Sequence, residues 1–95
     1  MVRDFFIIKG YVQGVGFRYF VSYTAKLYDL TGWIKNCDDG SVQMEAQGKK
    51  DSLEEFINKI KIGNGFCEIE DIFINEIKPV KNERNFKIIY WYKYI

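Results

Sequence analysis

The residues Gln13-Gly14-Val15-Gly16-Phe17-Arg18-Tyr19 have the make-up of a site for a phosphate dianion. They follow an apolar, strand-like run. Gly14 and Gly16 can take backbone angles closed to other residues, so the chain can turn tightly and aim successive N–H groups at one point. Arg18 stands where a helix should begin. Its planar guanidinium, which matches two phosphate oxygens, would sit beside the positive end of the helix dipole. Together these donors can hold a phosphoryl group and stabilise the charge on its oxygens during transfer, each contributing roughly 3 kcal/mol if they act like other single oxyanion donors. Asn36 is the second polar candidate. It is neutral and cannot serve as a base near neutral pH, but it can hold a water in line with the phosphorus.

What the chain lacks also constrains the reaction. It has no histidine, and its two cysteines, Cys37 and Cys67, show no metal-ligand spacing, so a zinc or iron site is not expected. Two thiols are too few for a disulfide scaffold and fit a reduced, cytoplasmic setting, with both side chains read as small and buried. There is no Cys-His pair and no evident Ser with a base partner. An alkoxide leaving group would need a general acid, whereas a carboxylate departs as a stable anion. A site made only of donors therefore suits an acyl phosphate better than an ordinary phosphate ester.

Those residues must be positioned by a small fold. The chain has 95 residues, of which 47% are hydrophobic, and a net charge of +1. That supports one domain, residues 1–95, around one core, and offers no basic field to nucleic acid or to an anionic membrane. The apolar run near the N-terminus is too short for a signal peptide or a membrane span. Phe5-Phe6-Ile7-Ile8 reads as a central strand. Phe17, Val21, Ala25 and Tyr28 fall at helical spacing, with Gly32 as the expected helix stop. Trp33 to Cys37 reads as a short strand, Asp38-Asp39-Gly40 as a hairpin turn, and Val42, Met44 and Ala46 as the inward face of the next strand. Ser52 with Glu55 reads as a capping box before a second helix bearing Leu53, Phe56, Ile57 and Ile60. Residues 66–78 read as a strand with a break near Asp71, and Phe86, Ile88 and Tyr90 as a last strand. The order β-α-β-β-α-β, with room for one strand more, predicts an α+β ferredoxin-like split βαβ sandwich. Its antiparallel sheet would have four to five strands and two helices on one face.

This topology brings the two polar candidates together. In a right-handed βαβ crossover the two strands are parallel, so their carboxyl ends share one edge of the sheet. The glycine turn follows the first strand and Asn36 lies near the end of the second. Both should face one crevice of the kind in which ligands bind at sheet ends.

The segment Gly10-Tyr11-Val12-Gln13-Gly14-Val15-Gly16-Phe17-Arg18 resembles the first signature of the acylphosphatases. Gly32-Trp33-Ile34-Lys35-Asn36, followed by Gly40, Val42 and Gly48, resembles their second. The resemblance covers essentially the whole chain. It implies a small, monomeric, ferredoxin-like enzyme that hydrolyses acyl phosphates to carboxylate and inorganic phosphate without metal or cofactor. It also implies that Arg18 binds the phosphate, that Gln13, Gly14, Val15, Gly16 and Phe17 form the cradle, and that Asn36 orients the attacking water. Ile34 is larger than the residue usual in that family, Cys37 stands where Thr is frequent, and Gly63-Asn64-Gly65 replaces a frequent Gly-Pro. The last difference is expected to alter loop stiffness alone.

Other readings compete. A non-catalytic anion-binding module would share the cradle and Arg18 but would not need Asn36. An RNA-binding domain would use Trp33, Tyr90, Trp91, Tyr92 and Tyr94 as a stacking platform, but the neutral charge disfavours it, and these aromatics read as packing. Similar domains also occur at the N-terminus of carbamoyltransferases that mature hydrogenases.

Overall fold

The N-terminal apolar run extends into strand β1 (Val2–Tyr11), with Phe6 and Ile8 buried on one face and Phe5 and Ile7 half-buried on the other. The computed structural model describes residues 1–90, so Trp91, Tyr92 and Tyr94 lie outside the described residues. After β1 come α1 (Phe17–Leu27), β2 (Thr31–Asn36), β3 (Val42–Gly48), α2 (Lys50–Ile62), β4 (Glu68–Ile77) and β5 (Phe86–Ile89). The five strands form one sheet in the order β4-β1-β3-β2-β5. Strands β1 and β2 are each antiparallel to β3, which lies between them, and are therefore parallel to one another. This is the expected split βαβ. Phe17, Val21 and Ala25 of α1 and Leu53, Phe56 and Ile60 of α2 join Phe6, Ile8, Ile34, Val42, Met44 and Ala46 in one core. The expected break in β4 is a bulge opposite Lys9 and Gly10.

The sheet is mixed, not wholly antiparallel, because β5 runs parallel to β2 with Ile88 opposite Ile34. The reason is the route of the chain. Strand β4 ends opposite Arg3, at the end of the sheet where β1 and β2 begin. The segment 78–85 crosses along that end and delivers β5 to the start of β2, so β5 can only run in the same direction. Two side chains pin the crossing. Gln47 donates to the Val80 carbonyl at 2.9 Å and accepts from its N–H at 2.8 Å. Arg3, buried at 3% exposure, donates to Glu45 at 2.7 Å and to both carboxylate oxygens of Glu83 at 2.7 and 3.2 Å. Burial opposes ionisation of Glu83, but the hydrogen bonds and charge of Arg3 outweigh it and hold the carboxyl below its usual range. Its contribution to stability is thus present above the unfolded carboxyl pKa and is lost as pH falls through the lower folded value. Glu83→Gln is expected to be less stable near neutral pH and to lose less on acidification than the wild type, as read from urea unfolding across pH.

Helix α1 does not stop at Gly32. It ends in a Schellman turn in which Leu30 N–H donates to the Ala25 carbonyl at 2.9 Å and Asp29 N–H to that of Lys26 at 3.2 Å. Asp29 takes the left-handed position at φ 57°, a conformation that Asp tolerates through its short polar side chain. Gly32 instead lies in β2 at φ 146°, where a Cβ would meet the Glu45 carbonyl oxygen at 1.9 Å. Gly32→Ala is expected to cost about 2 kcal/mol or more of unfolding free energy in urea titration, because a backbone carbonyl cannot move aside as a side chain can. The capping box is also absent. Strand β3 runs to Gly48 and α2 starts at Lys50, so Lys49 is the N-cap, with no side-chain bond, and Ser52 already lies inside the first turn.

Candidate active site

Gly14 and Gly16 sit at φ 76° and 75°, the left-handed conformation that the sequence implies for the turn after β1. A Cβ at Gly14 would meet nothing within 4 Å, so backbone angle and not crowding requires glycine there. The ends of the turn are fixed by Val12 and Phe17, each buried at 1% exposure. Gly16 is the N-cap of α1, with no side-chain cap and no acidic residue in the first turn. The first intrahelical bond runs from Phe20 N–H to the Gly16 carbonyl, which leaves the N–H groups of Phe17, Arg18 and Tyr19 as open donors. Beside them lies a cavity of about 170 Å3 lined by Gly14, Gly16, Phe17, Arg18 and Tyr19 from this segment and by Asn36 from β2. The cavity has room for a tetrahedral anion and a water beside it.

Arg18 is held from a third element. Its Nη1 donates to the Ile89 carbonyl at 3.0 Å, and its guanidinium carbon lies 5.1 Å from the centre of the Tyr90 ring. One of five N–H donors is committed to β5, and the planar group is braced against an aromatic face. Asn36 is the last residue of β2. Its Oδ1 is buried with no hydrogen-bond partner among the described residues. Leaving a buried acceptor unsatisfied costs about 1–3 kcal/mol, so the atom is set up to accept a hydrogen bond from a bound molecule.

Two predicted cradle residues act differently from the rest. Gln13 does not line the cavity. Its Nε2 donates to the carbonyls of Cys37 and Ser41, each at 2.8 Å, and so fastens the glycine turn to the β2–β3 turn. That second turn is itself tied, since Asp39 accepts from Ser41 N–H at 2.9 Å and from its hydroxyl at 2.6 Å, bonds that hold the Asp39 carboxyl below its usual range. Val15 also stays off the cavity wall, and its carbonyl accepts from Asn64 Nδ2 at 2.9 Å. Cys37 and Cys67 are half-buried, free thiols, not buried ones. Val12, Tyr19, Ile88 and Tyr90 line the cavity and were not among the residues expected there. The alternation Phe86-Ile88-Tyr90 put the last two on one face, but only the parallel pairing with β2 carries that face to the cavity.

No carboxylate, lysine or cysteine lines this cavity among the described residues. Nor does any group of three or more His, Cys, Asp or Glu among them stand close enough to hold a metal ion. No helix of the described residues is long and apolar enough to cross a membrane.

Residues 5–88 match the family model described as Acylphosphatase. An acylphosphatase of Clostridium acetobutylicum is 46% identical over 90 residues, covering 95% of this chain and 99% of its own. The crystal structure of acylphosphatase from Bacillus subtilis superposes with a TM-score of 0.90 at 40% identity, covering 95% of this chain and all of that one. The structure of an acylphosphatase from Coxiella burnetii gives a TM-score of 0.85 at 30% identity over 93% of this chain and 92% of its own. With both the sequence and the fold matched from end to end of these relatives, the chain belongs to the acylphosphatase family and hydrolyses acyl phosphates.

Proposed function

We propose that Arg18 and the N–H groups that the turn from Gln13 to Phe17 presents at Gly14, Gly16 and Phe17 bind the phosphoryl group, and that Asn36 orients the water that attacks it. The observation that carries this reading is the buried Oδ1 of Asn36, without a hydrogen-bond partner among the described residues, on the wall of the cavity that Arg18 also lines. A water that donates one hydrogen bond to Oδ1 keeps a lone pair free for the phosphorus. Its oxygen bonds to phosphorus, the P–O bond to the carboxyl breaks, and the acyl part leaves as a carboxylate. Both water protons remain with the released phosphate. The leaving carboxylate needs no proton, which fits a cavity lined by no acid among the described residues. Arg18 and the backbone donors are fixed before substrate arrives, so they stabilise the growing negative charge without reorganisation. One domain, residues 1–95, carries this activity as a monomer in the cytoplasm, without a cofactor.

The test is hydrolysis of benzoyl phosphate in the presence of EDTA by the wild type and Asn36→Ala, side by side. Turnover by the wild type that the variant loses supports the reading. A folded wild type that binds phosphate yet does not turn over would make the cradle a recognition site only.

A further inference from the structure

The loop between α2 and β4 carries a contact that the reaction scheme does not use. Asn64 bridges two segments. Its Oδ1 accepts from the N–H groups of Phe66 and Cys67 at 2.9 and 3.0 Å, which closes its own loop. Its Nδ2 donates to the Val15 carbonyl at 2.9 Å, across 49 residues of sequence. Gly63-Asn64-Gly65 is therefore more than a change in loop stiffness.

The consequence follows from peptide geometry. Every described peptide bond is trans, so the carbonyl of one residue and the N–H of the next point in opposite directions. Anchoring the Val15 carbonyl on Asn64 fixes the plane of the Val15–Gly16 peptide and turns the Gly16 N–H away from Asn64. Gly16 lines the cavity and Val15 does not. With φ of 75° the glycine has easy access to other backbone wells, so nothing in its own side chain holds that plane. The hydrogen bond from Asn64 supplies what the glycine lacks.

We propose that Asn64 is a positioning residue, which holds the Val15–Gly16 peptide so that the Gly16 N–H faces the bound phosphoryl group. The proposal rests on the reading that the turn from Gln13 to Phe17 is the phosphate cradle. Because that N–H meets the phosphoryl group in the bound substrate as well as during transfer, losing its orientation weakens binding more than it slows the chemical step.

Two variants separate positioning from loop closure. In Asn64→Ser the hydroxyl can still accept from the N–H groups of Phe66 and Cys67, as serine does in such turns, but is too short to reach Val15. Asn64→Ala loses both functions. With benzoyl phosphate as substrate and inorganic phosphate as inhibitor, both variants are expected to raise KM and the phosphate inhibition constant about fivefold, the weight of one hydrogen bond, with kcat held within about twofold. Only Asn64→Ala is expected to melt at a lower temperature. Phosphate affinity in Asn64→Ser equal to that of the wild type would overturn the proposal. So would losses of affinity that simply follow losses in melting temperature across the two variants. Arg18→Ala is the control for the cradle itself. If it too keeps phosphate affinity, the phosphate does not bind here and the underlying reading fails. If it loses affinity and Asn64→Ser does not, Asn64 alone is misassigned.

Discussion

Arg18→Ala is expected to lose roughly a thousandfold or more in kcat/KM for benzoyl phosphate and to bind inorganic phosphate much more weakly. Single neutral oxyanion donors are worth about 10²–10³ in rate, and Arg18 adds a full charge and a planar fork to that role. The side chain also bonds the Ile89 carbonyl and stacks on Tyr90, so part of the loss could come from a loosened β5. Arg18→Lys separates the two effects. It keeps the charge but not the fork, and an ammonium cannot serve the Ile89 carbonyl and two phosphate oxygens in one plane. Little recovery of turnover in a variant with the wild-type melting temperature would tie the loss to the fork. Near-normal turnover in Arg18→Ala would remove Arg18 from the mechanism, whereas near-normal turnover in Arg18→Lys would show that the charge suffices without the fork.

Asn36→Ala should give a different pattern. The side chain contributes an acceptor for a water and not a positive group for phosphate. Its loss is expected to lower kcat by about 10²-fold or more, while the phosphate inhibition constant stays close to that of the wild type. The variant should fold well, because it removes a buried acceptor that has no partner among the described residues. If kcat and phosphate affinity fell together, Asn36 would be an anchor for the ligand and the water would have to be held by another group.

Much of the site could be read from the sequence because it depends on local rules and one topological rule. The left-handed glycines, the helix start at Phe17 and the place of Asn36 near the end of β2 are each written in a few adjacent residues. The parallel relation of β1 and β2 then brings them together whatever the packing details. What escaped was long-range. The glutamine that looked like part of the cradle turned to brace the Cys37–Ser41 turn, a choice set by two carbonyls more than twenty residues away. Tyr90 read as packing because nothing in its own neighbourhood says that β5 pairs with β2. That pairing depends on the crossing held by Arg3, Gln47 and Glu83, a network spanning most of the chain. The helix ends were misread for a simpler reason. Asp29 did the work expected of a glycine, and Ser52 with Glu55 matched a local pattern that the early start of α2 at Lys50 made unusable.

The Arg18–Ile89 bond joins residues 71 positions apart, and its partner lies at the end of a four-residue edge strand paired on one side among the described residues. Such a strand, short and paired on one edge, is the least tethered part of a sheet. If β5 parts from β2, the glycine turn and most of the core can thus stay in place while the guanidinium has nothing to lean on. Loosening of that edge alone is therefore expected to lower turnover before the rest of the fold gives way, so activity lost at denaturant concentrations below the global unfolding transition would report on β5.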